Sequence, residues 1–131
     1  YQDYMSKMEE GDFTLDSYHF AGCNIVSDTL YLQKPIVVWQ GDRWYNRIGP
    51  AMLRSVGLDK WIAESEDDYV SKALCLIHYP DIRQAINRHL QAVNLGDTIY
   101  STVHANVFVD AVEYILQKHQ VEAQECAPIV Q

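Results

Sequence analysis

Four consecutive apolar residues, Ile36-Val37-Val38-Trp39, stand between Pro35 and the loop Gln40-Gly41-Asp42-Arg43. A strand open to water on one face alternates apolar with polar residues. An unbroken run between turn residues therefore reads as a strand covered on both faces, as parallel strands are. The flanking segments fit that reading. Further short strands are expected at 13–16 and 61–63. Helices are expected over 1–10, closed by Gly11, and over 24–33. Another runs from Asn46 or Gly49 to Val56 and stops at Gly57, with Pro50 at the first helical position or just inside the first turn. Ser65 caps the next, followed by Glu66, Asp67 and Asp68 in its first turn and closed by Pro80. Asp81 is expected to cap a helix with Ile82, Ala85, Ile86, His89 and Leu90 along one face. After a loop at 94–97, Ser101 or Thr102 opens the last helix, striped by Val107, Phe108, Ala111, Val112, Ile115 and Leu116. Residues 121–131 have no period and are expected as a frayed tail. The order α-β-α-β-α-β-α-α-α predicts one α/β domain: a three-layer α/β/α, Rossmann-like parallel sheet with extra C-terminal helices, wound right-handed.

The chemistry of this chain concentrates where the strand at 13–16 meets the helix at 24–33. The connecting turn passes through Gly22, and the helix start carries Asn24 and Asp28. The free N–H groups and positive dipole end of a helix start make a ready anion site. Asn24 and Asp28 are four apart and share a helix face. Amides at the turn can thus hold a phosphate while a carboxylate one turn in meets a ribose diol. The plainer reading makes Asn24 a cap and Asp28 a solvated acid.

The 131 residues suit one domain, and 48% apolar with 21% charged residues is ordinary for a globular protein. A formal charge of −8, without any Lys/Arg cluster, argues against a nucleic-acid partner. Cys23, Cys75 and Cys126 are odd in number and widely spaced, which fits free thiols in a reducing, cytoplasmic setting. His78, His89, His104 and His119 lack metal-ligand spacing, so no metal site is expected. No apolar run approaches the roughly 18 residues of a membrane span. The chain starts at Tyr1 and is read as part of a longer protein.

Taken in order, Leu15-Asp16, Gly22-Cys23-Asn24, Asp28-Thr29-Leu30-Tyr31, Pro35, Gly41-Asp42, Asn46-Arg47, Leu53 and Gly57-Leu58 carry a resemblance. The stretch 11–90 resembles the C-terminal catalytic half of family 41 glycosyltransferases: the O-GlcNAc transferase-like enzymes, often attached to TPR repeats, and the bacterial protein N-glycosyltransferases. The resemblance implies a two-domain GT-B architecture. It also implies a UDP-sugar donor gripped mainly by the C-terminal half, and inverting transfer to a protein side chain without metal or other cofactor. Carried over, Gly22, Cys23 and Asn24 line the diphosphate and Asp28 takes the ribose hydroxyls. At this turn the O-GlcNAc branch has His-Thr-Thr, where Cys23, Asn24 and Ile25 stand here. Asn24 matches an Asn of the N-glycosyltransferase branch. The family's phosphate-binding Lys, base-recognising segment and N-terminal catalytic domain all lie before Tyr1, so the segment is expected to be inactive alone.

Other residues carry two readings each. His19 faces the presumed site from the loop, or is a solvated loop histidine. Arg43, after the second strand, lies at the carboxyl edge where α/β sheets bind ligands, or is a surface arginine. Arg47 reads as a structural ion pair with Asp16 or Asp42. Trp44 and Tyr45 stack on a sugar or acceptor, or join the core. Cys23 stands at a helix start, where thiols gain reactivity, but reads as a small turn residue rather than a nucleophile. A dinucleotide oxidoreductase is disfavoured, because no Gly-x-Gly-x-x-Gly follows a strand. The alternative to the transferase is a non-enzymatic Rossmann-like interaction module. With half a sheet, the first strand is left as an edge through which two copies are expected to pair.

Overall fold

A computed structural model describes residues 1–103 and 105–125. The chain divides into two compact units, Tyr1–Tyr100 and Ser101–Gln131. The first unit holds the sheet. Strands β1 (Thr14–Leu15), β2 (Ile36–Trp39) and β3 (Ile62–Ala63) pair in parallel, in the order β1-β2-β3. Thr14 registers with Ile36, and Val38 with Ile62. Helices α1 (Gln2–Glu10), α2 (Asn24–Tyr31), α3 (Ile48–Ser55), α4 (Glu66–His78) and α5 (Pro80–Ala92) complete the alternating order.

Ile36, Val37 and Val38 are fully buried, as the unbroken apolar run requires. Helix residues Val26 and Leu30 (α2), Leu53 (α3), Leu76 (α4) and Leu90 (α5) join them in one core. Each such leucine contributes about 1.5–3 kcal/mol of transfer free energy on burial. Two helices end alike. The N–H of Lys34 reaches the carbonyl of Thr29, and that of Leu58 the carbonyl of Leu53, each across a residue in the left-handed region. After α3 that residue is Gly57 (φ 73°); after α2 it is Gln33 (φ 57°), which pays a steric penalty glycine avoids.

Several boundaries differ from those predicted. Pro80 opens α5 as its first residue, with Tyr79 at the cap, because a missing N–H does no harm in a first turn. It does not close α4, and Asp81 lies inside α5 rather than capping it. Ser65 does cap α4, accepting from the N–H of Asp68 at 3.2 Å. Trp61 belongs to a 3₁₀ turn, Asp59–Trp61, leaving β3 two residues long. Pro50 sits in the first turn of α3, which begins at Ile48. In the second unit, α6 (Ala105–Glu125) starts later than Ser101, whose hydroxyl instead accepts the N–H of Val103. Helix α6 also takes in the first part of the predicted tail; residues 126–131 lie outside the described residues. Val107, Phe108, Val112, Ile115 and Leu116 of its stripe are exposed.

Candidate functional site

The turn between β1 and α2 is held from several sides. Asp16, at the carboxyl end of β1, is 3% exposed, and its Oδ1 accepts the Gly22 N–H at 2.8 Å. Ser17 Oγ donates to the Phe20 carbonyl at 2.7 Å. The Tyr69 hydroxyl of α4 donates to the Asp16 carbonyl at 2.5 Å, and the buried Asn46 amide donates to the Tyr18 carbonyl. Tyr18 stacks on Trp39, ring centres 3.7 Å apart. Gly22 must be glycine for room: a Cβ there would stand 2.2 Å from Ile25 Cγ2 and 3.2 Å from Asp16 Oδ1. Cys23, at the N-cap of α2, makes no side-chain cap, and Asn24 is the first helical residue rather than the cap.

Gly22, Cys23 and Asn24 come together in a cavity of about 550 Å³, shared with Phe20, Ala21, Ile25, Trp44, Tyr45 and Ile48. Cys23 and Asn24 are exposed there. Asp28 does not join them. Although four residues from Asn24, it lines a separate cavity of about 710 Å³ with Tyr1, Met5, Tyr31 and Tyr100. Tyr1, the residue at the N-cap of α1, reaches the second turn of α2, where its hydroxyl donates to Asp28 Oδ1 at 2.6 Å. That bond first, then desolvation and the Asp28 charge, push the Tyr1 phenol up to about 12. Tyr4 is also raised, by burial first and then by the Asp28 charge. His19 and Arg43 meet in a third cavity with Tyr18, Asp42, Tyr45 and Asn46.

Arg47 donates its Nε–H to the Gly41 carbonyl at 3.3 Å rather than pairing with Asp16 or Asp42. Burial pushes the Asp16 carboxyl up, against the lowering pull of the Gly22 and Ser17 N–H groups. Phe20 and Trp44, 71% and 72% exposed, flank Tyr45 in an aromatic cluster at the mouth of the turn cavity. His89 bonds the Val56 carbonyl through Nε2 at 2.7 Å, a structural role at the edge of the core. Sequence reasoning missed Asp16, Asn46, Tyr1 and Tyr100 as site-building residues; Asp16 bonds Gly22 within the turn, while the other three meet Tyr18, Asp28 and Ser27, each more than 25 residues away in sequence. Among the described residues no group of three or more His, Cys, Asp or Glu is placed to hold a metal. No helix among them is long and apolar enough to cross a membrane.

No protein-family model matches the chain. Over 74 residues, 56% of the chain, it is 35% identical to a protein of Hordeum vulgare named a probable UDP-N-acetylglucosamine–peptide N-acetylglucosaminyltransferase SPINDLY. A SPINDLY protein of Oryza sativa subsp. japonica is also 35% identical, and that of Arabidopsis thaliana 31%, over the same length. This part of the chain is homologous to the O-GlcNAc transferase-like glycosyltransferases. It spans only 8% of the length of those curated relatives. The fold agrees. A mutant O-GlcNAc transferase of Thermobaculum terrenum superimposes over 70% of the chain and 18% of its own length, with a TM-score of 0.67 at 23% identity. The parallel three-stranded α/β arrangement is thus that of the GT-B-like O-GlcNAc transferase fold.

Proposed function

We propose that the chain is the C-terminal donor-binding part of a UDP-sugar-dependent glycosyltransferase that acts on protein side chains. The observation that carries this reading is the 74-residue similarity to relatives whose names state a UDP-sugar donor and a peptide acceptor. The turn geometry supports it. The diphosphate lies in the cavity of Gly22, Cys23 and Asn24, against the uncapped start of α2. Asp28 takes the ribose hydroxyls, which replace the Tyr1 hydroxyl now on its carboxylate. In transfer, the acceptor's nucleophilic atom forms a bond to the anomeric carbon and gives its proton to a base of the remaining active site, as the bond from that carbon to the β-phosphate oxygen breaks. The departing UDP keeps the electron pair, and its growing negative charge meets the amides and dipole of α2. No metal or cofactor is assigned to this step, and no described residue is assigned as the general base. His19 and Arg43 line the adjoining cavity on the acceptor side. The remainder of the active site is supplied by an N-terminal catalytic domain. The same reading places the protein in the cytoplasm and pairs two copies along β1, an edge strand.

The test is a calorimetric titration of the full-length protein with UDP and a panel of UDP-sugars. Saturable binding is expected. Failure of the full-length protein to bind any of them would instead make the fold a non-enzymatic interaction module.

A further inference from the structure

We propose that Asp16 is a positioning residue for the donor's diphosphate, holding the Gly22 amide so that the next amides of the turn face the ligand. The inference rests on the donor-site reading above and adds a residue that touches no ligand. Three observations carry it. Asp16 Oδ1 spans six residues to take the Gly22 N–H at 2.8 Å, the hydrogen bond that closes the turn. The carboxyl is 3% exposed, and its other oxygen, Oδ2, has no hydrogen-bond partner. Oδ2 lies against the first turn of α3, 3.5 Å from where a Cβ on Gly49 would stand.

A buried carboxyl oxygen without a partner is costly, and a fold that only needed a filled space there would be served by an apolar side chain. The bond to Gly22 is what an apolar residue cannot supply. It turns one N–H of the turn inward and fixes the direction of the chain into Cys23 and Asn24. Gly22 has no freedom to compensate, because Ile25 Cγ2 and Asp16 together occupy the space beside its Cα. Tyr69 and Asn46 pin the carbonyls of Asp16 and Tyr18, so the strand end to which Asp16 belongs is itself fixed. Asparagine retains the acceptor oxygen for the Gly22 N–H; alanine retains neither the bond nor the volume.

The test measures binding of UDP and of uridine to the full-length protein and to Asp16→Asn and Asp16→Ala. Asp16→Asn is expected to keep UDP affinity within about twofold. Asp16→Ala is expected to lose about tenfold for UDP, while uridine, held through Asp28, changes less than twofold. Should Asp16→Ala fail to fold, Asp16→Ser carries the same comparison, since its hydroxyl falls short of the Gly22 N–H. Parallel loss of UDP and uridine would make Asp16 merely structural and overturn the proposal. So would a loss in Asp16→Asn equal to that in the alanine variant. Absence of UDP binding by the unaltered protein would overturn the donor-site reading, and this inference with it.

Discussion

Replacing Gly22 with alanine tests the turn by sterics alone. The added methyl would stand 2.2 Å from Ile25 Cγ2, against an ordinary carbon–carbon contact of about 3.5–4.0 Å. An overlap of more than an ångström must be relieved by moving Ile25, which packs on the core, or by shifting the turn. Overpacking of this kind costs about 1–3 kcal/mol. The second near contact, Asp16 Oδ1 at 3.2 Å, makes turn displacement the costlier route, since it lengthens the bond to the Gly22 N–H. Relief therefore comes mainly from Ile25. A double-mutant cycle isolates that pair: Gly22→Ala, Ile25→Ala and both together, followed by urea unfolding. Coupling of at least about 1 kcal/mol is expected, with Gly22→Ala better tolerated once Cγ2 is gone. If Gly22→Ala costs less than about 0.5 kcal/mol, or costs as much in the Ile25→Ala background, the steric account of this glycine is wrong.

Asp28→Asn in the full-length protein should lower UDP affinity about 10- to 150-fold, from loss of a charge-assisted contact worth about 1.5–3 kcal/mol, with little change in melting temperature. A lowered melting temperature with UDP affinity intact would make Asp28 structural. Gln33→Gly should raise stability by about 0.5–1 kcal/mol in denaturant unfolding, since it removes a side chain from a left-handed helix end at the cost of unfolded-state entropy. A loss of stability would rule that account out. Because burial raises the Asp16 carboxyl above its ordinary 3.8, the folded chain binds this proton more tightly than the unfolded one. Its contribution is therefore fully present below pH 3.8 and is lost as pH rises through the folded value. Measured by urea unfolding across that range, stability should fall relative to Asp16→Asn as pH increases; a flat or rising difference refutes the assignment.

The sheet was readable because its signal is local. Ile36 to Val38 are fully buried, and the apolar run that says so needs no knowledge of its neighbours. The flanking strands are shorter than their apolar stretches. Asp16 continues the pairing through its N–H to the Val37 carbonyl, yet the ladder proper ends at Leu15. Pro80 was misplaced for a different reason. Proline after a helix and proline at the first position of the next look alike when two helices meet with only Tyr79 between them.

The candidate site was legible to the extent that it is a helix start. The turn around Gly22 announces itself by composition, and its residues do share a cavity. Which carboxylate does what could not be read from spacing. Asp16 and Asp28 flank the same turn, but one is bonded within it and the other meets Tyr1, 27 residues away in sequence. Helical periodicity reports a shared face, not what reaches that face, and here Tyr1 reaches the second turn of α2. The division of labour follows from burial. A carboxyl sealed from water and bonded to a backbone amide holds shape. One that opens on a cavity and carries a replaceable hydroxyl partner is free to exchange that hydroxyl for a ligand's.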